Sequence, residues 1–463
     1  MKQYEEAKTR LKTALAAADV DYCEIRFEDS RDLVIQFQGT RLESVRAGDM
    51  YGGNVRALYK GGWGFAAFNN PDEIEANVAL ACERAKAAGE VVKEESKLAS
   101  VPVVEDNVAP AWTLHPESVS LDEKIRILSH YHGLVLSHEN IPASTIIYQE
   151  RCTTLTFANS EGTCVRQEKV DLSGAITAVG RKGDVSVSQS VGYGSSLGLD
   201  KLLCLDEKIK EMCERTQKLL DAEPMKAGVY TVICDPAHTG LFVHEAFGHL
   251  SEADDLAKSP GWIASMKLGR VLGKPILNIY DCGDYMENRG GLIYDDEGVK
   301  CARADLVKDG VLVGRLHNRW SAARLNEAPT GSARALTYVF PPIVRMRNTN
   351  IAAGASSFED MLAGIELGVY AVGSGGGQTN GEQFNFAAGY GRMIRNGKLA
   401  ELVRDVKLMG NVFTTLENID MIGNDQEGRN GAGGCGKGAQ APLPTSGMCP
   451  HIRIQNVIVG GVK

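Results

Sequence analysis

Alternation of apolar and polar residues at a period of two, interrupted by glycine-rich turns, is the feature that most restricts the fold of this chain. It runs through DYCEIRFED, DLVIQFQGTRLESVRA and GNVRALYKGGWGFAAFN, between residues 21 and 69. Such alternation predicts an antiparallel meander. Apolar residues at helical spacing precede it at 3–19 and follow it at 71–90. We therefore expect a helix–meander–helix unit at the start of the chain.

The same order recurs, which suggests a duplication. A helix predicted at 121–138 precedes alternating segments at 145–194, and another helical pattern covers about 200–221. From residue 225 onward short strands are broken by Gly, Asn and Pro, with one helix predicted at 357–366, which favours a closed or sandwiched sheet. The predicted fold is α+β: N-terminal α+β units at 1–100 and 118–224, then a β-rich, barrel- or sandwich-like domain at 225–463.

Charge and cysteine usage exclude several function classes. The 463 residues carry 59 acidic and 50 basic side chains, a net charge of −9 with no basic cluster, which argues against direct nucleic-acid binding. The eleven cysteines are scattered without a CxxC pair, which favours a reducing compartment. No signal-peptide pattern or bilayer-spanning apolar run is present, so the expected location is cytoplasmic, without membrane association.

GLFVHEAFGHLSEADD, residues 240–255, resembles the HExxH motif of zinc hydrolases but is one residue longer. Residues four apart on a helix differ by about 40° in direction, and both imidazoles reach one ion. His244 and His249 are five apart, about 140° in a regular helix. They share a face only if the helix widens to i→i+5 hydrogen bonding or breaks before His249, and Gly248 permits either departure. Glu245 holds the position of the general base in metalloproteases.

The residues alone leave a structural alternative open. His244 is then a packed or hydrogen-bonded core histidine, and His249 interacts with a helix C-terminus. The acids that follow, Glu252, Asp254 and Asp255, either orient the imidazoles or form a solvated run.

A catalytic zinc site commonly has three protein ligands, so a third is expected elsewhere. The glycine-rich segment GRNGAGGCGKGAQAPLP, residues 428–444, is the best source, because Cys435 lies on a backbone free to wrap an ion. Lys437 nearby favours the thiolate. The alternative is a flexible surface loop with an incidental cysteine. Cys449, in SGMCPH with His451 close by, is a weaker candidate for the same role.

HEAFGH is followed in order by YDDEG (294–298), PTGSARALTY (329–338), RMRNT (345–349), GGGQTNGEQFNF (375–386) and CGKGAQ (435–440). In this set of motifs the chain resembles the TldD/PmbA family. The resemblance runs from about residue 225 to the C-terminus, and the first ~220 residues agree only in general organisation.

The resemblance implies a metal-dependent protease, of a family also described as DNA gyrase modulators. It implies that His244, His249 and Cys435 coordinate one Zn²⁺ per subunit and that Glu245 is the catalytic base. Small or unfolded peptides are the implied substrates, in a chamber between subunits. The implied assembly is a homodimer, or a heterodimer with a family member that lacks the motif, and this chain looks like the active subunit.

Two rival functions remain at this stage: a non-catalytic, metal-stabilised binding or regulatory subunit, and a gyrase-associated factor. Five further residues either position substrate or serve turns and packing, namely Asp295, Asp296, Glu297, Arg334 and Tyr338.

Overall fold

The computed structural model describes residues 2–93, 96–429 and 431–460, and its N-terminal half is built from long strands flanked by helices. The helices are α1 (Lys2–Ala16), α2 (Ile74–Gly89), α3 (Leu121–Leu136) and α4 (Asp206–Leu220). The strands are β1 (Tyr22–Gly39), β2 (Arg41–Tyr59), β3 (Gly62–Phe68), β4 (Glu105–Val108), β5 (Ala143–Asn159), β6 (Cys164–Lys182) and β7 (Val185–Ser195).

These strands form one sheet in the order β3-β2-β1-β5-β6-β4, with β7 paired to β6. The predicted helix–meander–helix order is confirmed, and β1 joins the two meanders by pairing antiparallel with β5 from Glu24 to Gly39. The predicted linker at 101–117 contains β4, which pairs parallel with β6. The division of the chain at 1–100, 118–224 and 225–463 stays a proposal.

Apolar side chains on the strands pack against the helices in two clusters. Ile25 and Val55 of the first meander are buried with Ala81 of α2. Ile146 of the second is buried with Leu128 of α3. Each fully buried aliphatic side chain of this size contributes about 1.5–3 kcal/mol, so packing against the helices stabilises the sheet.

The C-terminal half consists of shorter strands and helices. The strands are β8 (Glu223–Pro224), β9 (Gly228–Cys234), β10 (Ile279–Cys282), β11 (Ala304–Lys308), β12 (Val311–Leu312), β13 (Ala333–Arg334), β14 (Ile343–Val344), β15 (Asn348–Ile351), β16 (Leu367–Val372), β17 (Gly377–Asn380), β18 (Gln383–Ala387), β19 (Tyr390–Arg395), β20 (Lys398–Arg404), β21 (Lys407–Asn411), β22 (Ile419–Ile422), β23 (Glu427–Arg429), β24 (Cys435–Lys437), β25 (Gln440–Leu443), β26 (Gly447–Cys449) and β27 (Ile452–Gly460). The helices are α5 (Pro236–Phe242), α6 (Ala253–Leu256), α7 (Pro260–Ser265), α8 (Arg319–Leu325), α9 (Phe358–Leu362) and α10 (Val412–Glu417).

The largest C-terminal sheet runs β17-β18-β21-β27-β9-β16-β19-β20-β8, with β22 also paired to β27. It curls into a half-barrel, which confirms the predicted α+β class with a β-rich C-terminal half. β9 lies inside this sheet, antiparallel to β27 and parallel to β16. Because β9 leads directly into α5, a strand that is paired on both sides positions the histidine segment.

The helix predicted at 357–366 is shorter than expected. It starts at the Ser357 capping box but ends at Leu362, and Gly364 has a φ of +79° that no helix continues through. The short helices α6, α7, α8 and α10 were missed, because four to seven residues show too little periodicity. Among the described residues no helix is long and apolar enough to cross a membrane.

Candidate metal centre

The two histidines lie just after a well-anchored helix start. β9 ends at Cys234, and the next residue, Asp235, caps α5 by accepting the backbone N–H of His238 at 2.7 Å. Pro236 occupies the first helical turn, where a missing N–H has no cost. The cap and the proline therefore fix the direction of α5 relative to the half-barrel sheet, and with it the position of the histidines that follow.

The helix widens where the spacing of the motif requires it. Residues Val243–Gly248 form a π-helical turn, in which the backbone N–H of His249 donates to the carbonyl of His244. This i→i+5 bond turns both imidazoles to one side, with ring centroids 5.4 Å apart. The prediction that the helix either widens or breaks is confirmed in its first form.

Gly248 acts through packing rather than through an unusual backbone conformation. Its φ of −56° and ψ of −48° are those of an ordinary helix. A β-carbon at this position would lie 2.0 Å from Sδ of Met346, which is itself buried. The absence of a side chain lets the π-helical turn approach the segment around Met346 closely.

Cys435 completes a group of three donors. Its Sγ lies 3.3 Å from Nε2 of His249, and the ligand atoms of His244, His249 and Cys435 all lie within 4.8 Å of one another. Cys435 is buried at the start of β24, and Arg345 fixes its backbone by donating from Nη2 to its carbonyl at 2.7 Å. The glycine-rich segment thus delivers the thiol on a held strand, not on a free surface loop.

The acids after the motif bind the imidazole and a lysine. Nδ1 of His249 donates to the Glu252 carboxylate at 3.0 Å, which directs Nε2 towards the thiol. Lys437 donates to Asp254 at 2.6 Å and lies 3.3 Å from Glu252 and 3.2 Å from Asp255. Glu252 and Asp254 are buried, so they are not part of a solvated run. The ammonium of Lys437 is engaged with these acids.

The surroundings of His249 attract positive charge. Burial lowers the pKa of this imidazole, but the Cys435 thiol and the Glu252 carboxylate outweigh it and raise the pKa to about 10. Groups that favour a proton on this ring also favour a bound dication. Histidine nitrogen and cysteine sulfur are donor types that bind zinc. The residue set therefore fits a zinc ion.

A cavity of about 330 Å³ opens beside this group. His244 and Glu245 line it, together with Arg289 and the backbone of Gly433 and Gly434. The carbonyl of Glu245 is fixed by a hydrogen bond from the Thr379 hydroxyl at 2.8 Å. Glu245 thus faces the same space as one of the proposed ligands.

The YDDEG turn stabilises the backbone around it and connects the two halves of the chain. Asp295 accepts backbone N–H groups of Glu297, Val299 and Ala333 at 2.9 Å each. Glu297 binds the guanidinium of Arg56 at 2.8 Å.

The remaining sequence candidates also contact partners outside the donor group. Arg334 donates to the carbonyl of Met346 at 2.7 Å, and Tyr338 donates to Asn69 at 2.7 Å. His451 lies 2.6 Å from Asp425, and Cys449 is buried in β26. Neither Cys449 nor His451 belongs to the groups of potential metal donors among the described residues.

Sequence reasoning missed Arg289. Its guanidinium makes a two-point ion pair with Asp171 of β6, at 2.7 and 2.9 Å. It also donates to the carbonyls of Gly431 and Gly433, at 2.8 and 2.6 Å, just before Cys435. Nothing in the sequence around Arg289 signals this role, because every partner is distant in the chain.

Three family models match consecutive parts of the chain. The PmbA/TldA metallopeptidase domain 1 covers residues 23–89, the central domain covers 114–220, and the C-terminal domain covers 227–461. The last alone spans more than half of the sequence.

Three of the curated relatives match over at least 90% of their own length. A metalloprotease of Synechocystis sp. is 41% identical, covering 96% of both chains. A metalloprotease of Methanothermobacter thermautotrophicus is 33% identical, again covering 96% of both. A zinc metalloprotease TldD homolog of Saccharolobus solfataricus is 29% identical, covering 89% of this chain and 90% of the relative.

Two solved structures share the fold. A putative modulator of a DNA gyrase from Thermotoga maritima superposes with a TM-score of 0.78 at 22% identity, covering 99% of this chain and 100% of the other. TldE from Thermococcus kodakarensis superposes with a TM-score of 0.77 at 18% identity, covering 98% and 100%.

Proposed function

The chain belongs to the PmbA/TldA metallopeptidase family, and we propose that it is a zinc peptidase with His244, His249 and Cys435 as ligands and Glu245 as general base. The observation that carries the proposal is the convergence of these three donors within 4.8 Å, beside a cavity that Glu245 also lines. Histidine nitrogen and cysteine sulfur are zinc ligands, and three protein ligands are the number found in catalytic zinc sites. One ion per subunit is proposed.

His244, His249 and Cys435 would hold the zinc ion, which would supply Lewis-acid activation of the scissile carbonyl and of the attacking water. Glu245 takes the proton of the attacking water and returns it to the leaving amine. Glu252 keeps the His249 ring in the orientation that points Nε2 at the site. Arg289 holds the glycine-rich segment that carries Cys435.

Small or unfolded peptides are the proposed substrates. The cavity is lined largely by backbone and small side chains, including Ser190 and Gly192 of β7. Among the strands of the described residues β7 pairs only with β6, so an extended peptide can add to its other edge. Backbone pairing of this kind gives affinity without strong sequence preference. The proposed assembly is a homodimer or a pair with a motif-less relative.

Glu245→Gln tests the proposal directly. We expect this variant to keep its zinc and to lose cleavage of an unstructured peptide by at least ~10²-fold. His130→Gln, which changes an exposed histidine paired with Asp206 on α4, is a control that retains full activity. Unchanged cleavage in Glu245→Gln would remove the role assigned to Glu245.

The non-catalytic regulatory subunit makes the opposite prediction, namely zinc binding without peptide cleavage by the wild-type protein. Direct DNA binding is disfavoured by the net charge of −9.

A further inference from the structure

A second cavity, of about 90 Å³, lies between the N-terminal sheet and the C-terminal half. Leu336 and Pro444 form part of its apolar wall. Basic side chains from both halves of the chain reach it, namely Arg26, Arg151, Lys169, Arg289 and Arg334. The volume accommodates a group the size of a carboxylate or a phosphate, which is a few water volumes.

The charges around this cavity do not balance. Three carboxylates line it, Glu28, Asp171 and Asp296, against five cationic side chains. Asp32 offsets one of these cations through a two-point ion pair with Arg151, at 2.5 and 3.0 Å, so the formal excess is one positive charge. Asp171 is already committed to Arg289 through a two-point ion pair. In a buried place such an excess is costly unless an anion offsets it.

Arg26 carries hydrogen-bond donors that no described residue accepts. The residue is only 2% exposed, and its Nη2 lies 3.2 Å from Glu28. Its Nε is 3.5 Å from Oδ1 of Asp296, but Nε and Nη1 make no hydrogen bond with any described residue. A buried unsatisfied donor costs about 1–3 kcal/mol, and more when it is charged.

Arg334 also lies in an excess of positive charge. Its Nη1 donates to a backbone carbonyl, that of Met346, at 2.7 Å. Burial, and then the neighbouring cation Arg345, lower the pKa of Arg334 to about 10. An anion in the cavity would offset both the cost of burying this cation and its repulsion by Arg345.

The cavity adjoins the metal centre. Arg289 lines both cavities. One stretch of chain also borders both, because Leu443 and Pro444 face the smaller cavity and Thr445 and Ser446 face the larger one. A ligand in the smaller cavity would therefore lie next to the residues that hold the glycine-rich segment.

We propose that this cavity binds one small oxyanion, a carboxylate or a phosphate, through Arg26, Lys169 and Arg334. The planar guanidinium groups offer the paired donors that such anions accept. A carboxylate would come from the C-terminus of a peptide, which rests on the proposed peptidase function, whereas free phosphate would not depend on it.

Titration of the zinc-loaded protein with inorganic phosphate at constant ionic strength tests the site. We expect one saturable site per chain, and a dissociation constant raised at least about tenfold in Lys169→Gln, a loss of about 1.4 kcal/mol. The Lys169 side chain is 30% exposed, so this variant keeps its fold, whereas Arg26→Gln removes a buried group and gives the larger loss. Arg303→Gln, which changes an exposed cation paired with Asp305, is the matched control and binds phosphate like wild type.

Absence of saturable binding overturns the proposal. So does an unchanged dissociation constant in Lys169→Gln, because phosphate would then bind elsewhere, for example at the zinc. Neither result depends on peptide cleavage, so failure of this site is distinguishable from failure of the proposed peptidase function.

Competition identifies the source of the anion. In the Glu245→Gln protein, a short peptide with a free C-terminus is compared with its amide. Displacement of phosphate by the acid alone assigns the site to a peptide carboxylate, and displacement by neither assigns it to free phosphate. Equal displacement by acid and amide contradicts an oxyanion site, because the carboxylate then makes no contribution.

Discussion

Sγ of Cys435 lies 3.3 Å from Nε2 of His249, although 186 positions separate the two residues in the chain. The contact joins two distant parts of the C-terminal half, because the segment that follows the π-helical turn lies against β24. Both atoms are metal donors, and His244 is close enough to share an ion with them. A structural histidine needs no thiol at this distance, so the pair is the strongest geometric sign of a metal centre.

Cys435→Ala and His249→Ala should each lose zinc, because removing one of three ligands leaves too few donors to hold the ion. We expect wild-type protein to contain about one equivalent and each variant to contain far less, measured by elemental analysis after purification. Cys449→Ala, a change at another buried cysteine, should keep its zinc. Stoichiometric metal in both ligand variants would show that the site is elsewhere.

A second donor group should not hold zinc. His115, Glu117 and Cys152 also lie within 4.8 Å of one another. The Glu117 carboxylate is bound to Arg31 at 2.7 Å, and Nδ1 of His115 accepts the backbone N–H of Glu117 at 3.3 Å. Burial raises the pKa of the Cys152 thiol to about 12, which disfavours the thiolate. His115→Ala should therefore leave the zinc content at one equivalent, and a fall would reveal a second ion.

Glu252→Gln should weaken zinc binding without abolishing it. The change replaces the carboxylate that accepts the Nδ1–H of His249, and partners of metal-bound histidines of this kind contribute about 10–100-fold in affinity or activity. Competition with a chromogenic chelator measures the dissociation constant. Asp255→Asn alters an exposed acid near the same lysine and is expected to have a smaller effect. Equal effects of the two changes would mean that charge, not ring orientation, matters.

Local sequence was enough to predict the N-terminal meanders and to single out three donors that the structure brings together. Period-two alternation located the meanders. The spacing of His244 and His249 predicted a helix that either widens or breaks, and Val243–Gly248 adopts the widened form. Cys435 was found because glycines surround it. Each of these signals lies within about ten residues, the range over which helix and strand geometry dictate which side chains share a face.

Contacts between distant segments could not be predicted in the same way. The pairing of β1 with β5 joins the two meanders across a helix and a linker, and no local pattern sets its register. Arg289 reaches Asp171 and the glycine-rich segment only after both halves have folded. The packing of Gly248 on Met346 likewise depends on a distant residue, so the glycine was interpreted through backbone freedom instead of close approach.

Acid should weaken the contribution of Asp420 to stability. Burial raises the pKa of this carboxyl, but hydrogen bonds from Arg453 and Gln455 outweigh it and hold the pKa below its usual value of 3.8. A carboxyl with a depressed folded-state pKa stabilises the protein above its unfolded pKa and loses that contribution as the pH falls through the folded value. Asp420→Asn should therefore cost about 1–3 kcal/mol at pH 7, and the difference from wild type should shrink below about pH 4.

Urea unfolding at pH 7, 4 and 3 measures this difference. Glu401→Gln, which breaks a half-exposed pair with Arg395, should change stability by less than about 1 kcal/mol. A constant difference between Asp420→Asn and wild type at all three pH values would show that the ionised carboxylate is not the stabilising form.

Arg289→Gln should loosen the segment before Cys435. The variant loses the ion pair with Asp171 and the two donations to Gly431 and Gly433. We expect faster zinc release to a chelator with little change in secondary structure, because the affected contacts hold a loop. Asp171→Asn, which keeps the guanidinium and its loop contacts, should release zinc more slowly than Arg289→Gln. The reverse order would place the main effect at the ion pair.

Gly248→Ala should distort the π-helical turn. The new methyl group would lie 2.0 Å from Sδ of Met346, so one of the two segments must move, at a cost of about 1–3 kcal/mol. Because the turn sets the position of His249, zinc affinity should fall together with the melting temperature. Gly133→Ala in α3, where a β-carbon meets nothing within 4 Å, should instead stabilise the protein, by up to about 1 kcal/mol.

The double variant Gly248→Ala/Met346→Ala separates crowding from backbone strain. Removal of the Met346 side chain makes room for the methyl group, so the loss of zinc affinity in the double variant should be smaller than the sum of the two single losses. Additive losses would show that the two side chains do not compete for the same space. Gly248 would then act through the backbone of the turn, although its φ of −56° is accessible to alanine.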